Sequence, residues 1–364
     1  MSTAPDLAVV PRQSVLGLPG YVAGRRAVSP NSAALASNES HEPPLPGVVE
    51  AIVAAGERAN RYPDMGCVAL REAIAASVGR PMDEVAVGPG SVAILQQVIT
   101  AFCDAGDEVI FAWRSFEAYP ILTAIAGAVA VRVPLLPDEG HDLAAMAAAV
   151  NDRTRVVLLC SPNNPTGVPI PAAALEAFLD AVPGNVLVVL DEAYLEFCAP
   201  AGSSVSLDLL RLYPNLCLLR TLSKAYGLAG LRVGYALAAE PIAEALRRTA
   251  IPFGVSAVAQ AAGVAALAAR DEVVRRSTAV MAERARMLAA LRAAGWKTPD
   301  SQANFVWLRA KGSLFAQLMD AFDAADILVR GYPGDGVRIS LADPVTNDRV
   351  LAVLDDRTRY AADQ

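Results

Sequence analysis

The sequence has few of the residues that form metal sites or disulfide frameworks. It contains only two histidines, His41 and His141, which lie a hundred positions apart with no cysteine pattern near either. No metal site is therefore expected. The five cysteines are odd in number and none belongs to a C-x-x-C pair, so we expect free thiols in a reducing compartment. They are Cys67, Cys103, Cys160, Cys198 and Cys217.

The sequence also lacks the features of membrane and nucleic-acid-binding proteins. No uninterrupted apolar run reaches the ~20 residues that span a bilayer, and the start, MSTAPDLAVVPRQ, does not resemble a signal peptide. The net charge is −7 and no stretch is rich in Lys and Arg, which argues against nucleic acid as a partner. With 54% hydrophobic and 19% charged residues, the composition predicts a globular, cytoplasmic protein with a large core.

Three regions differ in their patterns. Residues 1–46 are rich in Pro, Ser and Asn and predict an N-terminal arm that lies across other structure. In 47–250, helical patterns alternate with short apolar runs such as EVIFAW, VVLLC, VLVVL and LRVGYALA, which predict buried parallel strands of an α/β sheet. Residues 251–364 contain a helical repeat over 270–294 and two strand-like runs, SQANFVWLR and DGVRISLA. They predict a second, smaller domain.

Polar residues follow several of these apolar runs. Asn164, Asp191 and Lys224 each come just past a predicted strand. Ligands of open α/β sheets bind beyond the carboxyl ends of the strands. We therefore expect the three residues to belong to one site.

The stretch RTLSKAYGLAGLRVG (220–234) brings Lys224 to a strand end, with Arg232 eight positions later. One interpretation is a lysine whose stem lies along the surface while its amine reaches solvent. The other is an amine kept neutral by its surroundings, which can form a Schiff base with a carbonyl group. Arg232 suggests an anionic ligand, most simply a phosphate.

Two further segments supply polar groups for the same site. Asp191 follows five consecutive apolar residues, and Tyr194 lies three positions further on. A helix cap would explain the aspartate, but a buried carboxylate can also hold a cationic ring nitrogen. Asn164, in SPNNPTG, is explained by turn formation, yet it is also placed to donate a hydrogen bond into the crevice.

The stretch VGPGSVA (87–93) places glycines before a helix, where backbone N–H groups and the helix dipole favour a phosphate. It also fits the dinucleotide fingerprint, which requires an acidic residue at the end of the next strand. That strand ends instead in Trp113, so a nucleotide cofactor is the weaker interpretation. An amine, a carboxylate and a phosphate site together predict pyridoxal 5′-phosphate (PLP).

The segments SPNNPTG, DEAY and SKAYGLAGLRVGY resemble those of fold-type I PLP-dependent aminotransferases. The resemblance runs from LASNES (35–40) to VRISL (337–341), and its branch contains the histidinol-phosphate and aromatic (phenylalanine) aminotransferases. It implies a homodimer with an α/β fold. A large domain (47–250) would hold a mostly parallel seven-stranded sheet flanked by helices, and the arm (1–46) would join a smaller α+β domain (251–364).

The resemblance also implies catalytic roles. Lys224 would hold the cofactor and move a proton at the substrate α-carbon, and Asp191 would keep the cofactor ring nitrogen protonated. Tyr194 and Asn164 would bond the 3-oxygen of the ring, and Phe116 of WRSFEAY would stack on it.

Further residues are implied for the cofactor phosphate. Tyr62 of RYPD would cross the dimer interface to the phosphate of the partner subunit, although ordinary packing also explains Tyr62 and Phe116. A Ser223–Lys224 hydrolase pair is disfavoured, because neighbours in an extended strand point in opposite directions and no G-x-S-x-G elbow is present. The implied phosphate ligands are Gly90, Ser91, Val92, Thr221, Ser223 and Arg232.

Substrate residues are implied in the same way. Arg338 resembles the arginine that binds the substrate α-carboxylate, with a surface salt bridge as the alternative. Arg330 is shared by both branches and would bind a distal phosphate or a second carboxylate of the substrate. Asn38, Asn304 and Tyr21 match segments that line the pocket, although the loop NESHEPPLP departs from the commoner NENPxGP form.

The implied reaction is ping-pong transamination between an amino acid and a keto acid. The stretch AWRSFEAYP favours an aromatic donor (Phe, Tyr or Trp), with 2-oxoglutarate as the acceptor. Histidinol phosphate is the main alternative donor, and a PLP decarboxylase or lyase is a remote alternative.

Overall fold

A seven-stranded sheet forms the centre of the larger part of the molecule. The computed structural model describes residues 9–18, 31–198 and 205–360. The helices of these ranges are α1 Gln13–Leu16, α2 Val48–Gly56, α3 Val68–Val78, α4 Ser91–Phe102, α5 Ala118–Ala126, α6 Leu143–Ala148, α7 Ala172–Ala181, α8 Val205–Leu212, α9 Glu240–Arg248, α10 Ala257–Ala268, α11 Arg270–Ala293, α12 Gly312–Ala324 and α13 Pro344–Val353. The strands are β1 Ala33–Ala34, β2 Val85–Gly88, β3 Glu108–Trp113, β4 Val129–Pro134, β5 Thr154–Cys160, β6 Leu187–Asp191, β7 Leu216–Thr221, β8 Gly234–Ala238, β9 Phe305–Arg309, β10 Ile327–Leu328, β11 Arg330–Tyr332 and β12 Gly336–Ser340.

The strand order of the large sheet is β2-β8-β7-β6-β5-β3-β4. Strands β3 to β7 run parallel, which confirms the predicted α/β fold, whereas β8 runs antiparallel to both β2 and β7. The expectation of a parallel strand at LRVGYALA is therefore wrong. A parallel return requires a crossover, usually through a helix, and the connection 222–233 contains only the short helical turn Ala229–Leu231.

Both faces of this sheet are buried, which explains the nearly continuous apolar runs. In β6, Val188 and Leu190 join the core on one face, while Leu187 and Val189 join the core on the other. This alternation follows because successive side chains of a strand point to opposite faces. The elements that pack on the first face are α2, α3, α6, α7, α8 and α10, and those on the second are α4, α5 and α9.

A three-stranded antiparallel sheet, in the order β11-β12-β9, forms a second unit with its own core. Met287 of α11, Leu318 of α12 and Val350 of α13 pack in that core. The predicted helix at 270–294 is α11. Helix α10, which we expected in this second domain, instead packs on α2 and α3 beside the large sheet.

The N-terminal arm joins the second unit. Strand β1 pairs in parallel with β10, and Leu35 then hydrogen-bonds through its backbone to Leu328 and Ser340. Residues 36–38 follow directly and run toward the carboxyl ends of the large sheet, where they contribute to the cavity described below.

The described residues can be searched for membrane-spanning helices and for metal sites. None of the helices in these ranges has the length and apolar character needed to cross a bilayer. Nor do these ranges contain a group of three or more His, Cys, Asp or Glu side chains that could hold a metal ion. All five cysteines, which lie within the described ranges, are free thiols.

Candidate active site

The carboxyl ends of the parallel strands surround a cavity of about 210 Å³. Asn164 follows β5, Asp191 ends β6 and Lys224 follows β7, so the sheet brings these three polar residues to one place. The sequence-predicted residues that line this cavity are Asn38, Ser91, Val92, Phe116, Asn164, Asp191, Tyr194, Thr221, Ser223, Lys224, Arg232, Arg330 and Arg338.

Four other sequence-predicted residues are not in the lining. Gly90 lies immediately before the lining residue Ser91, and Asn304 lines an adjoining cavity that also reaches Lys224. Tyr62 is 83% exposed and stacks on Phe253, with 4.6 Å between the ring centroids. Tyr21 lies outside the described residues.

The amine of Lys224 is held inside the protein. Its Nζ donates a hydrogen bond to the backbone carbonyl of Ser37 at 2.9 Å, and its side chain is accessible only in part, through the cavity. Burial is the main cause that lowers the pKa of this amine to about 7, and the positive charges of Arg338 and Arg232 contribute in the same direction against the opposing effect of Glu39. A substantial neutral fraction at neutral pH makes the amine a nucleophile and a base.

The backbone around Lys224 differs from the extended strand that we expected. Strand β7 ends at Thr221, so Ser223 and Lys224 lie in the bend that follows. The expected alternation of side-chain directions therefore does not apply to Ser223 and Lys224, but the two side chains still bond different partners. Ser223 Oγ accepts a hydrogen bond from Arg232 Nη1 at 3.2 Å, whereas Lys224 bonds Ser37, so the contacts do not form a Ser–Lys pair.

An anion site lies at the N-terminus of α4. The first turn of a helix leaves backbone N–H groups without intrahelical partners, and here Arg232, Ser223 and Thr221 surround that turn. Gly90 has φ 84°, and a Cβ at this position would collide with the guanidinium of Arg232. A Cβ at Gly234 would collide with the backbone of Ser91. Glycine at both positions lets the chain close tightly around the helix terminus.

The carboxylate of Asp191 is buried, and each of its oxygens accepts one hydrogen bond. Tyr119 donates its hydroxyl to Oδ2 at 2.9 Å, and the backbone N–H of Ala193 donates to Oδ1 at 3.2 Å. Burial raises the pKa of Asp191 to about 6, while the Tyr119 hydrogen bond acts in the opposite direction. Part of the capping alternative is thus realised, but the carboxylate also faces the cavity.

Tyr194 is positioned by the N-terminal arm. Its hydroxyl accepts a hydrogen bond from Asn38 Nδ2 at 3.0 Å. The Asn38 side chain is in turn fixed by Ser340 Oγ, which donates to its Oδ1 at 2.8 Å, and its backbone carbonyl accepts from Asn304 Nδ2 at 3.2 Å. Asn304 therefore lies behind the cavity and supports Asn38.

Arg338 is a buried arginine without a carboxylate partner in the described part of the chain. Its Nη1 donates to Asn164 Oδ1 and its Nη2 to the backbone carbonyl of Ala36, both at 2.6 Å. Its Nε has no hydrogen-bond partner. The alternative of a surface salt bridge does not fit a side chain that is 6% exposed. An unpaired buried guanidinium N–H requires an acceptor, and a ligand carboxylate would supply one.

The residues missed from the sequence include three with polar side chains at the site. Tyr119, Glu117 and Tyr332 all contact the predicted site. Tyr119 lies among apolar residues of a helix. A buried tyrosine hydroxyl usually has a hydrogen-bond partner, and this rule could have indicated its role. Glu117 lies beside Phe116 in the quoted stretch WRSFEAY, and pairs with Arg330 at 2.6 Å. The pairing of Arg330 joins residues 213 positions apart, which no local pattern reveals.

The residues present fit PLP. A lysine amine with a lowered pKa can bind its aldehyde, the buried Asp191 can face its ring nitrogen, and the α4 terminus with Arg232 can bind its phosphate. Glycine at positions 90 and 234 lets Arg232 and the backbone approach the start of α4 closely, which forms the anion site that the PLP phosphate needs. The fold and the site thus define a fold-type I PLP-dependent enzyme.

Comparison with known proteins gives the family. The family model described as "Aminotransferase class I and II" matches residues 31–354, and the chain belongs to this family of PLP-dependent aminotransferases. It is 51% identical over 356 residues to an aromatic amino acid aminotransferase of Streptomyces coelicolor, covering 97% of this chain and 98% of that protein. It is 54% identical over 332 residues to an aromatic amino acid aminotransferase of Rhodococcus opacus, covering 91% of each.

A solved structure agrees with this assignment. The crystal structure of histidinol-phosphate aminotransferase from Sinorhizobium meliloti in complex with pyridoxal-5′-phosphate matches with a TM-score of 0.86 at 29% identity. The match covers 97% of this chain and 98% of that one. The predicted family, fold and cofactor are therefore confirmed, and amino acids and keto acids are its substrates.

The lowered pKa of Lys224 predicts a pH-dependent stability effect. Below pH 7 the amine is protonated in the folded and unfolded states, so the folded state bears the full cost of burying the charge. Above pH 10.5 it is neutral in both, and the cost disappears. Lys224→Met should raise the free energy of unfolding of the cofactor-free protein by on the order of 3 kcal/mol at pH 6.5, with a gain that shrinks toward pH 10.

Urea unfolding at several pH values measures this gain. Lys297→Met, at an exposed position, is the matched control and should change the stability by less than about 0.5 kcal/mol at every pH. A gain for Lys224→Met that stays constant between pH 7 and pH 10 would show that the amine is not desolvated.

Proposed function

We propose that this aminotransferase moves the amino group of an aromatic amino acid to 2-oxoglutarate. The observation that carries this proposal is the unpaired Nε of buried Arg338, which shares one cavity with Lys224 and Asp191. It suits a substrate with an α-carboxylate, which amino acids have and histidinol phosphate lacks. The rings of Phe116 and Tyr332 line the same cavity, and the named relatives from Streptomyces and Rhodococcus act on aromatic amino acids.

The proposed roles follow from the contacts. When bound, PLP supplies an aldehyde for the substrate amine and a ring that withdraws electron density from the α-carbon. Lys224 would bind the cofactor through its amine. As a base with a pKa of about 7, it would take the proton from the α-carbon of the donor amino acid and, in the second half-reaction, deliver a proton to the α-carbon of the new amino acid. Asp191, held by Tyr119, keeps a proton on the ring nitrogen. Arg338 binds the carboxylates of the amino acid and the keto acid in turn.

The remaining cofactor contacts are proposed from the same geometry. Asn164 accepts from Arg338 through Oδ1, so its Nδ2 group would remain as the donor to the 3-oxygen of the cofactor, which Tyr194 would also bond. Phe116 would stack on the ring. The proposed phosphate ligands are Gly90, Ser91, Val92, Thr221, Ser223 and Arg232.

Histidinol phosphate remains the second candidate donor. Arg330 lines the cavity, and the matched Sinorhizobium structure is a histidinol-phosphate aminotransferase. The donor assay below separates the two candidates.

We also propose a homodimer in which Tyr62 completes the site of the partner subunit. Tyr62 is highly exposed in the single chain and does not line its own cavity. Its neighbours Met65, Val53 and Ile251 are 61–67% exposed, and clustered exposed apolar residues mark protein interfaces. The stacking of Tyr62 on Phe253 orders the ring at this surface.

The domain division and the location remain proposals. We propose an arm over residues 1–46 and a large domain from residue 47, and we move the start of the second domain from 251 to the α10–α11 junction near residue 269. The packing of α10 on α2 supports this change. A cytoplasmic location is proposed because the five thiols are free.

Covalent labelling tests the role of Lys224. The chain has three lysines, Lys224, Lys297 and Lys311, so borohydride reduction of the PLP-loaded enzyme and peptide mapping should find the label on Lys224 alone. Lys224→Ala should lose the visible absorption band of the bound cofactor, whereas Lys311→Ala should keep it. A label on another lysine would remove the basis of the proposed mechanism.

A donor panel tests the substrate. Phenylalanine, tyrosine, tryptophan and histidinol phosphate are each supplied with 2-oxoglutarate, and glutamate formation is measured. We expect kcat/KM for the best aromatic donor to exceed that for histidinol phosphate by about 100-fold or more, equivalent to about 3 kcal/mol. Reaction of histidinol phosphate alone would assign the second function. Release of CO₂ without glutamate would indicate a decarboxylase.

Subunit mixing tests the shared site. A Lys224→Ala subunit and a Tyr62→Ala subunit each lack one group, but their heterodimer contains one site with both Lys224 and the partner's Tyr62. Mixing after partial unfolding should therefore restore activity above that of either parent. Mixing each variant with itself is the control, and the absence of recovery in confirmed heterodimers would place Tyr62 outside the partner site.

A further inference from the structure

Three arginines surround the ring of Tyr332 at the wall of the cavity. The guanidinium carbons of Arg114, Arg330 and Arg338 lie 5.5, 5.6 and 5.9 Å from the centre of this ring. Two of the three are paired with carboxylates, Arg114 with Asp335 and Arg330 with Glu117. Only Arg338 of this group bonds neutral oxygens instead. The wall therefore offers one uncompensated positive charge rather than three.

The positions of Arg330 and Arg338 place both within reach of one small ligand. They are directly opposed on the antiparallel strands β11 and β12, so their side chains leave the same face of the sheet. Like charges at opposed positions repel each other. Glu117 offsets this repulsion, and the ion pair is largely withdrawn from water, with side-chain exposures of 11% for Arg330 and 29% for Glu117.

The position of Glu117 holds its carboxylate at the cavity. The residue lies between Phe116, which lines the cavity, and the first residue of α5. A negative charge at a helix N-terminus is favoured by the helix dipole. Glu117 and Arg338 line the same cavity, so a ligand whose carboxylate bonds Arg338 can place its distal group beside Glu117.

We propose that Glu117 masks Arg330 and thereby sets the substrate preference of the site against ligands with a distal negative charge. A distal phosphate or carboxylate must share the Arg330 guanidinium with Glu117 or displace Glu117 from it, and in both cases it lies beside the Glu117 carboxylate. Like charges placed side by side in a partly buried site disfavour binding strongly. An uncharged aromatic side chain leaves the Glu117–Arg330 pair intact and is not repelled by the Glu117 carboxylate. This inference rests on the proposed function and names the residue that selects its donor.

The proposal also bears on the acceptor. The distal carboxylate of 2-oxoglutarate competes with Glu117 for Arg330, whereas the side chain of phenylalanine leaves the Glu117–Arg330 pair undisturbed. Loss of the Glu117 charge should therefore lower KM for 2-oxoglutarate and leave KM for phenylalanine nearly unchanged.

Ligand binding to the PLP-loaded enzyme tests the proposal without turnover. The Kd values of 3-phenylpropanoate, a monocarboxylate with a ring, and glutarate, a dicarboxylate, are measured by calorimetry. In Glu117→Gln, glutarate should bind about 10-fold to 100-fold more tightly than in the wild type, and 3-phenylpropanoate should change by less than about 3-fold. Glutamine keeps the shape of the side chain, and Glu117→Ala is a second charge-removing variant that should shift the ratio in the same direction.

Two further variants separate the mechanism from a structural effect. Asp335→Asn removes the partner of Arg114, which does not line the cavity, and should leave the ratio of the two Kd values unchanged. The double variant Glu117→Gln/Arg330→Gln should lose the gain for glutarate, because the gain requires the unmasked guanidinium.

Several results would overturn the proposal. These are an unchanged Kd ratio in Glu117→Gln, an equal weakening of both ligands, or a gain that persists in the double variant. Equal weakening would show that the ion pair only ties the second sheet to α5. The proposed function and the role of Glu117 can fail separately. The donor panel measures turnover of phenylalanine by the wild type, whereas the Kd ratio measures only binding.

Discussion

The removal of one lysine amine from water is the constraint on which the rest of the site depends. A pKa of about 7 for Lys224 requires that its surroundings disfavour the ammonium form. The fold achieves this by bonding Nζ to the carbonyl of Ser37 rather than to a carboxylate. Two carboxylates of the same cavity bond other groups: Asp191 bonds Tyr119, and Glu117 pairs with Arg330. If either formed an ion pair with Lys224, the ammonium form would be stabilised and the amine would cease to be a base at neutral pH.

The site is assembled from two sheets that contribute different chemistry. The large parallel sheet supplies the lysine, the carboxylate and the anion site at its carboxyl edge. The three-stranded sheet supplies the arginines of β11 and β12, and Arg338 reaches across to Asn164 at 2.6 Å. The proposed cofactor residues thus lie mainly on the first unit and these arginines lie on the second, while Glu117 at the start of α5 reaches from the first unit to Arg330 of the second. Substrate selection, as proposed, therefore depends on contacts between the two units.

Much of this arrangement was readable from the sequence, because it rests on local patterns. Apolar runs that end in Asp191 or precede Lys224 predicted buried strands with polar ends, and those ends meet in the structure. The antiparallel direction of β8 was missed because strand direction depends on the connection and not on the run itself. The Glu117–Arg330 and Tyr119–Asp191 contacts were missed because they join positions 213 and 72 apart. The packing of α10 with the large sheet was missed for the same reason, since an alanine-rich helix fits against either unit.

The pairing of β1 with β10 has a consequence for the order in which the protein is completed. Ser37 and Asn38, which bond Lys224 and Tyr194, are fixed only when Ala33–Ala34 lies beside Ile327–Leu328. During synthesis the ribosome releases the first strand almost three hundred residues before its partner. The large sheet can form in the interval, but the strand pairing that holds Ser37 against Lys224 requires residues 327–328, which are made near the end of synthesis. Lys224 therefore gains its reactive environment only when nearly all of the polypeptide has been made.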